Sequence, residues 1–303
     1  MRLLDRRTLI AASAALASAS HAFASKALGT SVLPALDAGE LAARVRKLKT
    51  RFAVNAEIWW GGLPFEQRVE QALAHGFDGI EFWPWRNKDL GALEKLAKDK
   101  GVKFAQFTAW GFEPGLCNPD NHAKAVEEVR EACKAAKRIG APMMTIVAGN
   151  NQKGMTTEQM HAHVTTGLKL LAPIAEEHDV MLILEPMNGR VDHPGHCLYG
   201  SEAAVRICRE VNSKHVKINW DLYHMQLAEG DLCGRLKDGI DQLGYVQVAD
   251  TPGRNEPGTG EVHWPRVFRA VQELGYKGYV GLECWPKDGE LKAIERLIAA
   301  DTW

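Results

Sequence analysis

The stretch Val180-Met181-Leu182-Ile183-Leu184-Glu185-Pro186-Met187 reads as an apolar strand that runs straight into a carboxylate. A charge placed directly after Leu182-Ile183-Leu184 would sit in a core, where burial is expensive unless the group is paired or holds a metal ion. On either side of this stretch the chain alternates between strand and helix patterns. Upstream, strands are expected at Phe52–Ile58, Gly79–Trp83, Lys103–Thr108 and Met143–Ala148; downstream, at Val216–Asp221, Tyr245–Ala249 and Tyr279–Cys284. Amphipathic stretches near 64–76, 90–100, 122–139, 158–178, 201–211, 231–243 and 265–275 fall between them, with a final helix near 290–300. Several stop at a glycine followed directly by a strand, as at His75-Gly76, Lys100-Gly101, Ile139-Gly140 and Leu274-Gly275. Eight β/α repeats closing on themselves predict an α/β fold, the (β/α)8 TIM barrel. A doubly wound sheet is the alternative, but it usually brings a glycine-rich first turn. Here the first strand leads into Trp59-Trp60-Gly61-Gly62, which has no G-x-G-x-x-G.

Active sites of that fold lie at the carboxyl ends of the strands. Glu185, Asp221, Gln247 and Glu283 fall at or beside the ends of strands five to eight, at intervals of 36, 26 and 36 residues. Converging on one mouth, their carboxylate and amide oxygens would form a hard-cation site suited to Mg²⁺ or Mn²⁺, whereas zinc more often recruits His or Cys. Other polar residues have plainer readings. His161 and His163, two apart on a predicted helix, do not share a face and read as a solvated pair. Glu57 and Glu81, in the first two strands, either face the mouth as substrate contacts or make hydrogen bonds or ion pairs at the core edge. Trp59, Trp60, Trp83, Trp85 and Trp110 cluster near the first three strand ends, where they either wall a pocket for a sugar-like substrate or simply pack. The run Glu256-Pro257-Gly258-Thr259-Gly260-Glu261 is Gly-rich but lacks a Lys for phosphate, and reads as a shaped loop after strand seven.

With 303 residues, 46% hydrophobic and 25% charged, the chain has ample core for one large α/β domain. A formal charge of −1 and no Lys/Arg-rich block give no electrostatic footprint for nucleic acid or anionic lipid, so small-molecule partners are expected. The six cysteines (Cys117, Cys133, Cys197, Cys208, Cys233, Cys284) lack C-x-x-C spacing, and a core this size needs no staples; free thiols are expected. Residues 1–24 read as a signal peptide, with Arg6-Arg7, an Ala/Ser stretch from Thr8 to Ala19, and Ala22-Phe23-Ala24 as a small-x-small cleavage site. The pattern suggests twin-arginine export to the periplasm; a Sec signal or an unprocessed tail are the alternatives. Its apolar stretch of about a dozen residues falls short of the roughly 20 that span a bilayer, so no membrane span is expected. Residues 25–50 form a leader, partly helical around Glu40 to Lys49, ahead of a catalytic barrel over 51–303.

Four runs occur in order and at fitting spacings: Trp220-Asp221-Leu222-Tyr223-His224-Met225-Gln226, Val246-Gln247-Val248-Ala249-Asp250-Thr251-Pro252-Gly253-Arg254, Glu256 to Glu261, and Gly281-Leu282-Glu283. Together they resemble the hydroxypyruvate isomerase family of the xylose-isomerase-like sugar isomerases and epimerases, over roughly residues 51–300. The resemblance implies a divalent metal held by Glu185, Asp221, Gln247 and Glu283, proton exchange with substrate by Glu185 and Glu283, a substrate contact from His224, and pairing into homo-oligomers. Arg254 suits a bidentate contact to a substrate carboxylate, which hydroxypyruvate carries. Asp192 and His193, in the loop after strand five, are candidates to close over a ligand. Related ketose 3-epimerases usually place His where Gln247 stands, which favours the isomerase branch. The expected reaction converts hydroxypyruvate to tartronate semialdehyde (2-hydroxy-3-oxopropanoate) through an enediolate, with no redox cofactor. An exported ketose 3-epimerase or cyclic-ketose dehydratase using the same site is the alternative, and a sugar-binding module without turnover is a third reading.

Overall fold

Parallel strands enclosed by helices bury both faces, and side-chain alternation here supplies two separate cores. The computed structural model describes residues 37–303; the export segment read at 1–24 and the leader up to residue 36 lie outside the described residues. The elements run α1 (Ala38–Val45), β1 (Phe52–Asn55), α2 (Phe65–Ala74), β2 (Gly79–Phe82), α3 (Leu90–Lys100), β3 (Lys103–Trp110), α4 (His122–Ile139), β4 (Met143–Val147), α5 (Thr157–His178) and β5 (Met181–Glu185). They continue with α6 (Ser201–Val211), β6 (Val216–Asp221), α7 (Leu222–Ala228), α8 (Leu232–Asp238), β7 (Leu243–Gln247), α9 (Trp264–Glu273), β8 (Val280–Leu282) and α10 (Glu290–Ala300). Each strand pairs parallel with the next and β8 pairs parallel with β1, so the sheet closes into the expected TIM barrel.

Outward-facing Val54, Ile80, Phe107, Ile146, Leu184 and Trp220 join the large core between sheet and helices. Inward-facing Ala53, Ala105, Ile183, Tyr245 and Tyr279 form a small cluster of their own, with Met143 and Met181 against it. Further along the barrel the inward positions turn polar: Asn55, Glu81, Gln106, Thr145 and Asn219 are all buried, with a register shift between β2 and β3 bringing Gln106 beside Glu81. Next comes the rim, where register sets Asp221 beside Gln247 and Gln247 beside Gly281. The barrel interior thus runs from an apolar floor through a polar middle to an acidic mouth.

Local signals fix the helices around it. Thr156 and Gln159 form a reciprocal capping box at the start of α5, and Gly101 and Gly140 close α3 and α4 in the left-handed conformation. The leader helix α1 packs on α10 and buries Leu41 completely. Differences from the expected elements have physical causes. Strand β1 ends at Asn55, three residues early, because its carbonyl accepts the N–H groups of Ile58 and Trp59 in a turn. The helix expected over 231–243 breaks at Gly239, where any Cβ would run into Trp220 and Val205, and β7 begins at Leu243. Helix α7 was not expected at all. All six cysteines are free thiols, and no helix among the described residues is long and apolar enough to cross a membrane.

Candidate active site

Four buried side chains meet at the carboxyl end of the barrel. Glu185 ends β5, Asp221 ends β6, His224 stands in the first turn of α7, and Glu283 follows β8 by one residue. One donor atom from each lies within 4.8 Å of all the others. Asp221 does two jobs. Its Oδ1 accepts the N–H groups of Tyr223 (2.8 Å) and His224 (3.3 Å), which starts α7, while its buried Oδ2 has no hydrogen-bond partner. The cap turns the chain back over the barrel and brings His224 to the same carboxylates.

Arg254 is the cation of this cluster. It sits in the loop after β7 with a left-handed backbone (φ 54°), and its Nη2 donates to Glu283 Oε2 at 2.9 Å. Asp221 Oδ2 stands 3.5 Å from the same nitrogen, and Asp192 Oδ1 lies 3.8 Å from Nη1. Asp250 shapes the loop by accepting four backbone N–H groups, from Thr251, Gly258, Gly260 and Val262. Glu256 pins it by accepting from Arg296 and the Lys287 N–H. The Gly-rich run is therefore a shaped loop, as expected.

Burial, then the neighbouring charge of Asp221, pushes the Glu185 carboxyl up to about 8. Burial also holds Glu283 well above the usual carboxylate range, with Arg254 pulling the other way. Burial works against the charge of Arg254, but Glu283, Asp221 and Asp192 outweigh it and raise its pKa. Arg254 is shared among three acidic side chains, and Asp221 Oδ2, a buried acceptor with no hydrogen-bond donor, suits a further cation. The carboxylate oxygens of Glu185, Asp221 and Glu283, gathered within 4.8 Å of one another, are donors that fit a divalent metal ion.

His224 is held from behind. Asn188 Nδ2 lies 2.6 Å from its Nδ1, and Nε2 faces Asp221 Oδ2 at 3.5 Å and Glu185 Oε1 at 3.9 Å. Burial, then the charge of Arg254, keeps its pKa well below the ordinary value, so the ring is neutral. Asn188 also donates to Asp192 Oδ2 at 2.9 Å and accepts from the Val191 N–H, tying the loop after β5 to α7. His193 on that loop stacks on Phe112 (4.9 Å between ring centroids) and meets the His224 ring edge-on at 5.2 Å.

The structure thus gathers Glu185, Asp221, His224, Glu283 and Arg254, with Asp192 and His193 at the edge. Gln247 is buried beside Asp221, but its side chain is engaged on both ends: Nε2 donates to Glu81 at 3.0 and 3.2 Å, and Oε1 accepts from Asn219 at 2.5 Å. Glu57 makes an ion pair with Lys88 at 2.7 Å, and Glu81 hydrogen-bonds within the barrel, so both take the core-edge reading. Burial raises the Glu81 pKa against the pull of its amide neighbours. His161 is not solvated; it is buried against the Cys197 carbonyl at 3.0 Å, because its helix face points inward. Trp59, Trp85 and Trp110 are buried in the large core and take the packing reading. Sequence reading missed Asn188, Asn219 and Phe112. Asn219 was within reach, since it lies two residues before Asp221 on one strand and so shares its face.

Residues 69–300 match the model of the xylose isomerase-like TIM barrel family. The chain is 30% identical to the hydroxypyruvate isomerase of Escherichia coli (strain K12), over 78% of this chain and 94% of that one. It is 31% identical to the 2-oxo-tetronate isomerase of Cupriavidus necator, over 79% and 94% of the two chains. Among solved structures, the 3-keto-D-glucoside 4-epimerase of E. coli superposes with a TM-score of 0.72 at 21% identity, covering 84% of this chain and 100% of the other, a likeness of fold. On these matches the chain belongs to the xylose isomerase-like TIM barrel family, and within it is hydroxypyruvate isomerase-like.

Proposed function

We propose that the protein is a divalent-metal-dependent isomerase that moves a carbonyl between adjacent carbons of a small hydroxy-keto acid, converting hydroxypyruvate to tartronate semialdehyde. The observation that carries this reading is the pair Glu185 and Glu283. They are two buried carboxyl groups with pKa values raised by burial, and they flank Asp221 and His224 at the barrel mouth. A raised carboxyl pKa suits a group that must both take and return a proton near neutral pH. One of the pair removes a proton from C3 of hydroxypyruvate, the other delivers one to C2, and the C3 hydroxyl proton passes to the C2 oxygen, so that the C2 carbonyl becomes a hydroxyl as C3 becomes an aldehyde. Glu185, Asp221, Gln247 and Glu283 would hold Mg²⁺ or Mn²⁺, which when bound supplies Lewis-acid stabilisation of the negative charge that develops on the two neighbouring substrate oxygens. The neutral His224 turns Nε2 toward the site and contacts a substrate oxygen there. Arg254 offers its guanidinium to the substrate carboxylate and positions Glu283 through their 2.9 Å contact. Asp192 and His193 border the ligand from the loop after β5. With residues 1–24 as a twin-arginine signal, the folded enzyme works in the periplasm.

One observation favours a second reading. Trp285 is 48% exposed directly after the Glu283-Cys284 pair, with the Arg254 guanidinium 5.6 Å from its ring, and so presents an aromatic face to a sugar ring. A ketose 3-epimerase or cyclic-ketose dehydratase would use the same two glutamates. Proton NMR in D₂O with Mg²⁺ separates the readings. Tartronate semialdehyde carrying deuterium at C2 supports the isomerase, whereas inert hydroxypyruvate alongside deuterium exchange at C3 of a ketose replaces it with the epimerase.

A further inference from the structure

We propose that Glu81 is a positioning residue that fixes which end of the Gln247 amide faces the active site. The inference rests on the reading of Gln247 as a ligand and adds how that ligand is oriented. Glu81 lies in β2 and is fully buried inside the barrel, 166 residues from Gln247 in sequence. The side-chain amides of Asn55 (3.1 Å), Gln106 (3.2 Å) and Gln247 (3.0 and 3.2 Å) converge on it. Oε1 receives Asn55 and Gln247, and Oε2 receives Gln106 and Gln247, so the carboxylate is an acceptor at both oxygens.

An acceptor surrounded by amides forces each of them to present NH₂ and to point its carbonyl oxygen away. For Gln106 that oxygen accepts from the Thr145 hydroxyl at 2.9 Å, which fits the assignment. For Gln247 it is directed to the side of Asn219 and, by strand register, of Asp221. A carbonyl oxygen has two lone pairs, and Asn219 uses one of them. The other remains for a cation. Without Glu81, the Gln247 amide could turn over and set its NH₂ against the carboxylates.

Space for this contact is written into β8. A Cβ at Gly281 would run into Glu81 Oε2 and approach Gln247 Cγ at 2.9 Å, so a glycine is required where the two side chains meet. A generic polar core would not need this clearance. Ligand-orienting partners of this kind typically contribute about 10–100-fold in metal affinity.

The test uses the full chain, stripped of metal by chelation and titrated calorimetrically with Mn²⁺, together with the visible absorption spectrum of the Co²⁺-loaded protein. Glu81→Gln is expected to unfold cooperatively, to bind Mn²⁺ about 10–100-fold more weakly than the unaltered chain, and to shift the Co²⁺ bands in the direction that Gln247→Ala shifts them. Wild-type affinity and a wild-type Co²⁺ spectrum in Glu81→Gln, while Gln247→Ala departs in both, would overturn the proposal. Should Glu81→Gln not fold, Gly281→Ala is read in the same two assays with the same pair of outcomes. If Gln247→Ala is itself indistinguishable from wild type, Gln247 is no ligand; the underlying reading is then the one that fails, and this inference goes with it.

Discussion

The floor and the mouth of this barrel are built by the same strands, and often by residues only two apart, yet they obey opposite rules. Ile183 lies in a largely apolar cluster held by contact, while Glu185, one pleat repeat further along, stands among carboxyl groups. At the floor, burial is the source of stability. At the mouth, burial raises carboxyl pKa values and leaves an acceptor without a donor, so the unliganded site opposes folding. Stability and chemistry are separated along the barrel axis, and substitutions at the two ends should fail in different ways.

The largest effect is expected at the mouth. Glu185→Gln or Glu283→Gln should lower turnover by about 10²–10⁴-fold, the usual contribution of a positioned acid or base, while the thermal midpoint holds or rises because a buried carboxyl that is costly to ionise gives way to a neutral amide. Turnover by NMR and unfolding by circular dichroism check both halves, and a fall in the midpoint without loss of turnover would erase the contrast. At the floor, Ile183→Ala should cost about 2–5 kcal/mol in urea unfolding, with turnover of the folded fraction within a few-fold of wild type. Asp221→Asn keeps the oxygen that caps α7 but removes the charge; metal affinity should drop by at least about 10–100-fold with little change in stability, and unchanged metal content would take Asp221 off the ligand set. The smallest change belongs to neither region. Thr156→Ala opens the capping box of α5 and should cost about 1 kcal/mol with wild-type turnover, which calibrates the floor effect.

Eight strands and nine of the ten helices were legible because strands buried on both faces and amphipathic helices write long, regular patterns. The carboxyl-end rule of the barrel then located Glu185, Asp221 and Glu283 without any contact being known. Helix α7 escaped because it has only seven residues and because its capping residue, Asp221, was already spoken for as a ligand. Asn188 escaped for a different reason. It is 36 residues from His224, in a loop with no periodicity, and only the closed fold brings the two within 2.6 Å. Gln247 lies between these cases: its position on the rim was readable, but the carboxylate beneath it came from the opposite side of the barrel.

Strand β8 is three residues long, and Glu283 follows it directly. Its pairing with β1 closes the sheet, so the last acid of the site and the seam of the barrel leave the ribosome together. At typical elongation rates the interval between synthesis of the first and last strands is roughly 10–50 s. For the last part of that time the nascent chain carries Glu185 and Asp221 but not Glu283, so the three carboxyl groups come together only when the seam closes.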